Sequence, residues 1–498
     1  VQNAAITLAK TSVISKIDDR VFGSFVEHLG RAVYGGIYQP GHPSAGAHGF
    51  RTDVIEMVKE LNVPIVRYPG GNFVSGYKWE DGIGPKANRP KRLELAWFAL
   101  EDNQVGVNEF ADWARLANTE VMMAVNLGTR GMQEAMDLVE YCNHPAGTYW
   151  SDLRVSHGYA APHKIKTWCL GNEMDGPWQI GYKKPMEYAR LANETAKVMR
   201  WADRDIELVA CGSSGKDMPT FGEWEDTVLT ECYDNVDYIS MHSYYSNADG
   251  DSQSFLSRGL DMDAFIRRVA AIARGVKGRL KKKKDIYLSF DEWNVWYHDW
   301  FKPEKDRWVH GKHLCEDIYT VEDAVLVGSL LITLLQNADT VKMACLAQLV
   351  NVIGAIMTEP DGGAWRQTIF YPFLHASQYG RGTAMRCAID APAYSCAAFS
   401  DVPSVDAVAV RNDEAGEITI FAVNRNLNED LTVTLDLRDF GAAAGVEHIV
   451  FYGDNKAVNG PDAAGCTVPQ TRALRVENGK AEVLMPHVSW NVLRFKMQ

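Results

Sequence analysis

Between Val21 and Leu349, short apolar runs alternate with longer stretches whose apolar residues recur every three or four positions. That is the pattern of repeated strand and helix units around a parallel sheet. The runs are Val21–Val26, Pro64–Arg67, Val121–Val125, Ile165–Leu170, Leu208–Ala210, Tyr238–Met241, Ile286–Phe290 and Val341–Leu346, eight in all, as a closed (β/α)8 TIM barrel requires. Among the helical stretches, Thr52–Leu61 places Val54, Ile55, Val58 and Leu61 on one face, and Pro185–Trp201 opens with a proline suited to a first turn. Val321–Gln336 is almost wholly apolar, so a second domain or a second subunit must cover it.

Past Tyr379 the period shortens. Asp406–Arg411, Ile418–Asn424, Leu431–Leu437, His448–Tyr452, Ala481–Leu484 and Trp490–Phe495 read as strands separated by Asn, Asp and Gly turns. They predict a C-terminal all-β sandwich, jelly-roll-like in type. Ala4–Leu8 and Ser12–Ile17 read as short strands ahead of the barrel and are expected to join that sandwich. The expected division is a catalytic barrel over 18–378 and a sandwich domain of 1–17 with 379–498.

Composition narrows the function. The 498 residues carry a net charge of -13, which disfavours nucleic acid, because a phosphate-binding surface needs clustered Lys and Arg. The one basic run, Lys281–Lys284, sits between a helical pattern and an apolar strand and reads as a solvated turn. No apolar run reaches the roughly 18 residues of a membrane span, and Val-Gln-Asn-Ala-Ala-Ile is not a signal-peptide start. Nine cysteines without a CxxC pair read as reduced, mostly buried thiols. A cytoplasmic protein with a neutral substrate is expected.

In barrels of this kind the chemistry sits at the C-terminal ends of the strands. Those ends carry Glu27 and His28, then Arg67 with Asn72 in the following loop, Asn126, the pair Asn172 and Glu173, His242 with Tyr244, Glu292, and Gln348. Taken singly, a strand-end Glu is as well explained by a salt bridge, and a lone His by a structural role. Glu173 and Glu292, however, come from the fourth and seventh strands, on opposing sides of one mouth. Two such carboxylates divide the work of glycosidic cleavage, one as nucleophile and one as general acid and then base. An Arg beside them, here Arg67, would keep one ionised.

Trp79, Trp97, Trp178 and Trp296 lie in or near loops, where aromatic faces can stack on sugar rings, although packing suits at least two of them. None of the 13 histidines forms an HxH or HExxH pattern, and neither a P-loop, a GxGxxG nor a GxSxG motif is present. No metal or cofactor is expected.

The chain resembles glycoside hydrolase family 51, the α-L-arabinofuranosidases, over nearly its whole length. The resemblance rests on Gly23-Ser-Phe-Val-Glu-His-Leu-Gly-Arg, Arg67-Tyr-Pro-Gly-Gly-Asn-Phe, Trp168-Cys-Leu-Gly-Asn-Glu-Met-Asp-Gly-Pro-Trp, Leu288-Ser-Phe-Asp-Glu-Trp-Asn-Val-Trp-Tyr and Ala347-Gln-Leu-Val-Asn-Val-Ile. It implies that Glu173 is the acid/base and Glu292 the nucleophile. Sugar binding would then fall to Glu27, Asn72, Asn172, Tyr244 and Gln348, with Arg67 and His242 in support and Trp97, Trp178 and Trp296 as candidate aromatic contacts. It also implies a retaining, exo-acting enzyme that releases terminal α-L-arabinofuranosyl residues from arabinan, arabinoxylan or arabino-oligosaccharides, assembled as a homo-oligomer, commonly a hexamer. The alternatives are a related barrel glycosidase acting on β-glucan or xylan, or a carbohydrate-binding protein without catalysis.

Overall fold

The computed structural model describes residues 2–298, 302–441 and 443–497. Eight parallel strands close a barrel in chain order, the last (Val341–Leu346) pairing with the first (Gly23–Phe25) through Cys345 opposite Gly23 and Leu346 opposite Ser24. Each expected run is present, though boundaries move. The first shrinks to Gly23–Phe25 because Asp19–Phe22 forms a 3-10 turn, which Asp18 caps by accepting from the Arg20 amide.

The sixth and seventh strands extend past their expected ends, to Tyr238–Tyr245 and Tyr287–Val295. Both continue through polar residues as far as the mouth, still paired with each other from His242 opposite Glu292 to Tyr245 opposite Val295. The basic run Lys281–Lys284 is a surface turn, as expected, with Lys282 paired to Asp234.

The sandwich is built from two sheets. One holds four strands in the order Ala388–Asp390, Gln2–Thr7, Leu431–Asp436 and Lys480–Met485. The other holds seven, beginning with Val13–Lys16 against Thr383–Arg386. Both N-terminal strands therefore pair with C-terminal ones, the first running parallel to Leu431–Asp436.

The strand Glu417–Asn424 explains why its sequence shows no alternation. Ile418, Ile420 and Ala422 enter the core between the sheets, while Phe421 and Val423 join the core of the barrel. A strand buried on both faces has no polar face to display.

The apolar helix Val321–Gln336 packs on that outer face, and so a second domain covers it. Its start is set by a capping box, with the Asp323 amide donating to Thr320 Oγ1 at 3.2 Å and the Thr320 amide to the Asp323 carboxylate at 2.8 Å. Gly328 lets the helix approach Trp490, since a Cβ there would lie 2.4 Å from the indole. Among the described residues no helix is long and apolar enough to cross a membrane.

Candidate active site

The C-terminal mouth encloses a cavity of about 510 Å³. Its wall includes Glu27, Asn72, Trp97, Glu173, Trp178, Tyr244, Glu292, Trp296 and Gln348. Arg67, Asn172 and His242 stand behind these, buried, and hold them in place.

Glu292 is anchored from two sides. Arg67 Nη1 donates to Oε1 at 2.6 Å and the Tyr244 hydroxyl to Oε2 at 2.8 Å. The second Arg67 nitrogen donates to Asn172 Oδ1 at 2.7 Å, tying the second strand to the fourth and seventh. Arg67 is buried, which opposes its charge, but Asp291 and Glu292 outweigh that and hold its pKa well above the ordinary range.

Glu173 leaves the fourth strand with a backbone φ of 43°, a left-handed conformation that costs a non-glycine residue energy. The turn aims its carboxylate across the mouth. There it accepts from Trp178 Nε1 at 2.7 Å and meets His242 Nδ1 at 2.9 Å.

A bulge explains how the seventh strand presents two acidic side chains in succession. Ser289 and Glu292 lie opposite Ser240 and His242, and Phe290 and Trp293 lie opposite Ala344 and Leu346. Both neighbours thus count one residue fewer, and the extra one is at Asp291. Ordinary alternation would send Asp291 outward, whereas the bulge turns it inward beside Glu292. Asp291 Oδ1 lies 2.8 Å from His242 Nε2.

His242 is therefore gripped by carboxylates at both nitrogens. Burial alone would lower its pKa, but the charge of Glu292 and the bonds to Asp291 and Glu173 overcome this and raise it to about 10. This favours the protonated ring, in which both nitrogens donate.

One oxygen of Glu173, one nitrogen of His242 and one oxygen of Glu292 lie within 4.8 Å of one another. The members of this trio are already held by hydrogen bonds from Arg67, Tyr244 and Trp178 and by the contact of His242 with Asp291.

Glu27 closes the opposite wall. Its Oε1 accepts from the Phe73 amide and from Trp97 Nε1, each at 2.9 Å, and Gln348 Oε1 accepts from its backbone amide at 3.0 Å. Burial pushes its pKa up to about 8, against the bond from Phe73, with the charge of Glu292 adding to the rise. Gly71, at φ 26°, makes this approach possible, because a Cβ there would fall 2.1 Å from Glu27 Oε2. Asn72 is drawn in through Asn172 Nδ2, which donates to its side chain at 3.3 Å.

The remaining aromatic candidates separate. Trp178 is half exposed at the rim, Trp296 lies against His298 with centroids 3.8 Å apart and the rings tilted by 33°, and Trp97 is buried in the core with its indole nitrogen donating to Glu27. Trp79 lies outside the cavity, packed against Tyr141 and Trp150. Asn126 is also a correction. Its amide bonds the Tyr77 carbonyl and the amides of Gly128 and Thr129, so it shapes a turn and does not line the hollow.

Two residues of the site were not singled out in the sequence. Asp291 sits in the Asp-Glu-Trp-Asn motif, but strand alternation argues against it until the bulge is seen. Gln179 bridges Asn172 and the Asn72 carbonyl and is buried, yet follows Trp178 in what reads as loop.

A closed barrel with two carboxylates facing each other across one hollow has the build of a barrel glycoside hydrolase. Two family models match the chain, the α-L-arabinofuranosidase 1 domain over residues 57–258 and the α-L-arabinofuranosidase C-terminal domain over 291–489. The chain is 56% identical to an intracellular exo-α-(1→5)-L-arabinofuranosidase of Halalkalibacterium halodurans, covering 99% of this chain and 98% of that protein. It is also 56% identical to a Bacillus subtilis enzyme of the same description, covering 100% of both. A solved family 51 α-L-arabinofuranosidase from Bifidobacterium longum superposes with a TM-score of 0.96 at 47% identity, over 99% of this chain and 100% of that one. The chain belongs to glycoside hydrolase family 51, the α-L-arabinofuranosidases.

Proposed function

We propose that the chain is a retaining exo-α-L-arabinofuranosidase in which Glu292 is the nucleophile and Glu173 the acid/base. The observation that carries the mechanism is the approach of the two carboxylates, with oxygens within 4.8 Å. So short an approach of two oxygens supports the roughly 5–5.5 Å between carboxyl groups of retaining enzymes over the roughly 6.5–9.5 Å that leaves room for a water in inverting ones.

In the first step a Glu292 oxygen bonds the anomeric carbon as its bond to the leaving oxygen breaks, and the proton of Glu173 passes to that oxygen. In the second, Glu173 takes a proton from water, whose oxygen displaces Glu292 from the same carbon. Arg67 and Tyr244 orient Glu292 for attack and receive it again as a carboxylate. His242, held by Asp291, positions Glu173. Asn72 lines the wall and Asn172 stands behind it; both are proposed to bind sugar hydroxyls, Asn172 the 2-hydroxyl, with Glu27 and Gln348 on the facing wall.

The relatives named for (1→5) linkages support arabinan or arabino-oligosaccharides as substrate. Proton NMR of early products tests the chemistry. Retained α-arabinofuranose is expected, and inverted arabinose at early times would exclude the covalent intermediate.

The proposed location is the cytoplasm, supported by relatives described as intracellular and by nine unpaired thiols. The proposed units are a catalytic barrel of 18–378 and a sandwich of 1–17 with 379–498, supported by the pairing of the N-terminal strands. The proposed assembly is a hexamer, by resemblance to bacterial members. Light scattering on the purified chain checks it, and a monomer mass would overturn it.

A further inference from the structure

Behind the sugar cavity a guanidinium and three side-chain amides form one hydrogen-bonded chain. Arg67 has only donors, so its bond to Asn172 Oδ1 at 2.7 Å turns the Asn172 amide with its oxygen toward the arginine and its nitrogen away. The two hydrogens on that nitrogen then go to Asn72 Oδ1 and Gln179 Oε1, each at 3.3 Å. Gln179 is oriented in turn. Its own nitrogen donates to the Asn72 carbonyl at 3.4 Å and to the Ser75 hydroxyl, which uses both of its hydrogens.

The far end of the chain is anchored. Gln179 and Ser75 are both buried, and the Ser75 carbonyl accepts from the Thr129 amide at 3.0 Å in the loop after the third barrel strand. The backbone after Gln179 packs directly on that loop, where a Cβ on Gly128 would lie 2.3 Å from the Ile180 carbonyl oxygen. Gln179 therefore has little room to move.

We propose that Gln179 is a positioning residue for the reaction, which fixes the amide of Asn172 against the 2-hydroxyl of the sugar without touching the sugar itself. This rests on the proposed contact between Asn172 and that hydroxyl. A side-chain amide rotates broadly about its last torsion, and Arg67 holds Asn172 only at its oxygen. At the nitrogen it is held by Gln179 and by Asn72, whose carbonyl Gln179 also grips. One side chain thus sets both amides. Bonds to a 2-hydroxyl strengthen as the oxocarbenium-like transition state forms, so a misplaced partner is felt in kcat more than in KM.

The test measures kcat and KM on 4-nitrophenyl α-L-arabinofuranoside and on its 2-deoxy counterpart, which lacks the hydroxyl in question. Gln179→Met keeps the length of the side chain and removes its bonds to Asn172, Asn72 and Ser75. Its kcat on the arabinofuranoside is expected to fall about tenfold, as loss of buried hydrogen bonds would give, with KM changed less than about twofold. On the deoxy substrate its kcat is expected to stay within about twofold of the parent. Gln179→Glu, which keeps an acceptor for Asn172 but no donor for the Asn72 carbonyl, is expected to show the same selectivity and carries the test if the first variant does not fold. An equal loss on both substrates, as a general loosening of the fold would give, or no loss on either, overturns the proposal. A parent enzyme indifferent to the 2-hydroxyl would instead overturn the contact between Asn172 and the sugar on which it rests.

Discussion

At the mouth of the barrel, Arg67, Asn172, His242, Asp291 and Glu292 are all nearly inaccessible to water, and each is hydrogen-bonded to a partner from another strand. Where the helix Val321–Gln336 meets the sandwich, most buried groups are Val, Leu and Ile side chains and Trp490, whose ring stacks on Phe421 with centroids 5.6 Å apart, with Glu322, Asp323, Ser329 and Thr333 as the polar exceptions. Burial at the mouth desolvates charge and is unfavourable until every partner is present. At the junction burial is itself the stabilising term. The first region should therefore answer to substitution in rate, and the second in stability.

The sharpest expected effect is at Glu292. Glu292→Ala is expected to lower kcat/KM by at least about 10⁴-fold on every arabinofuranoside, ~5.5 kcal/mol of lost transition-state stabilisation. Glu173→Ala should divide the substrates, losing about 10³-fold on arabinotriose but far less on the nitrophenyl furanoside, whose leaving group needs little protonation. Steady-state kinetics of both variants on both substrates decide the matter. If Glu173→Ala fell equally on the two, the roles would have to be reassigned.

Trp490→Ala probes the other region. It is expected to cost about 3–5 kcal/mol of stability through lost transfer and a residual cavity, with kcat per folded molecule unchanged. Urea unfolding midpoints measure this. A variant with its midpoint intact and kcat reduced would erase the contrast between the regions.

The smallest effect is a pH dependence at the mouth. Burial raises the Glu27 pKa from 4.5 to about 8, so between those values the folded chain holds a proton that the unfolded chain has released. Its contribution to stability is complete below 4.5 and is lost as pH rises toward 8. Glu27→Gln lacks this dependence, so its Tm relative to the parent should climb steadily from pH 4.5 to pH 8. A constant difference across that range would mean that Glu27 titrates as an ordinary carboxyl.

Much of this was legible in the chain. Strand-end position alone singled out Glu173, Glu292, Arg67, His242 and Gln348, because a barrel converts a place in the sequence into a place in space. The reading failed where alternation was broken. Asp291 was not singled out, and only its bulge reveals a second acidic group behind His242. Asn126 looked like a site residue because it ends a strand, but no local signal distinguishes an amide that binds a turn from one that binds a ligand.

Hydrophobic spacing is a local property, and so the sequence by itself determined the eight barrel units, the change to a sandwich past Tyr379 and the need to cover Val321–Gln336. Which surface covers that helix, how closely two carboxylates from strands 119 residues apart in the chain approach (Glu173 and Glu292), and which way the pKa of His242 shifts were decided only by the tertiary structure. Electrostatic energies depend on distance and burial through space, and neither quantity exists until the barrel has closed.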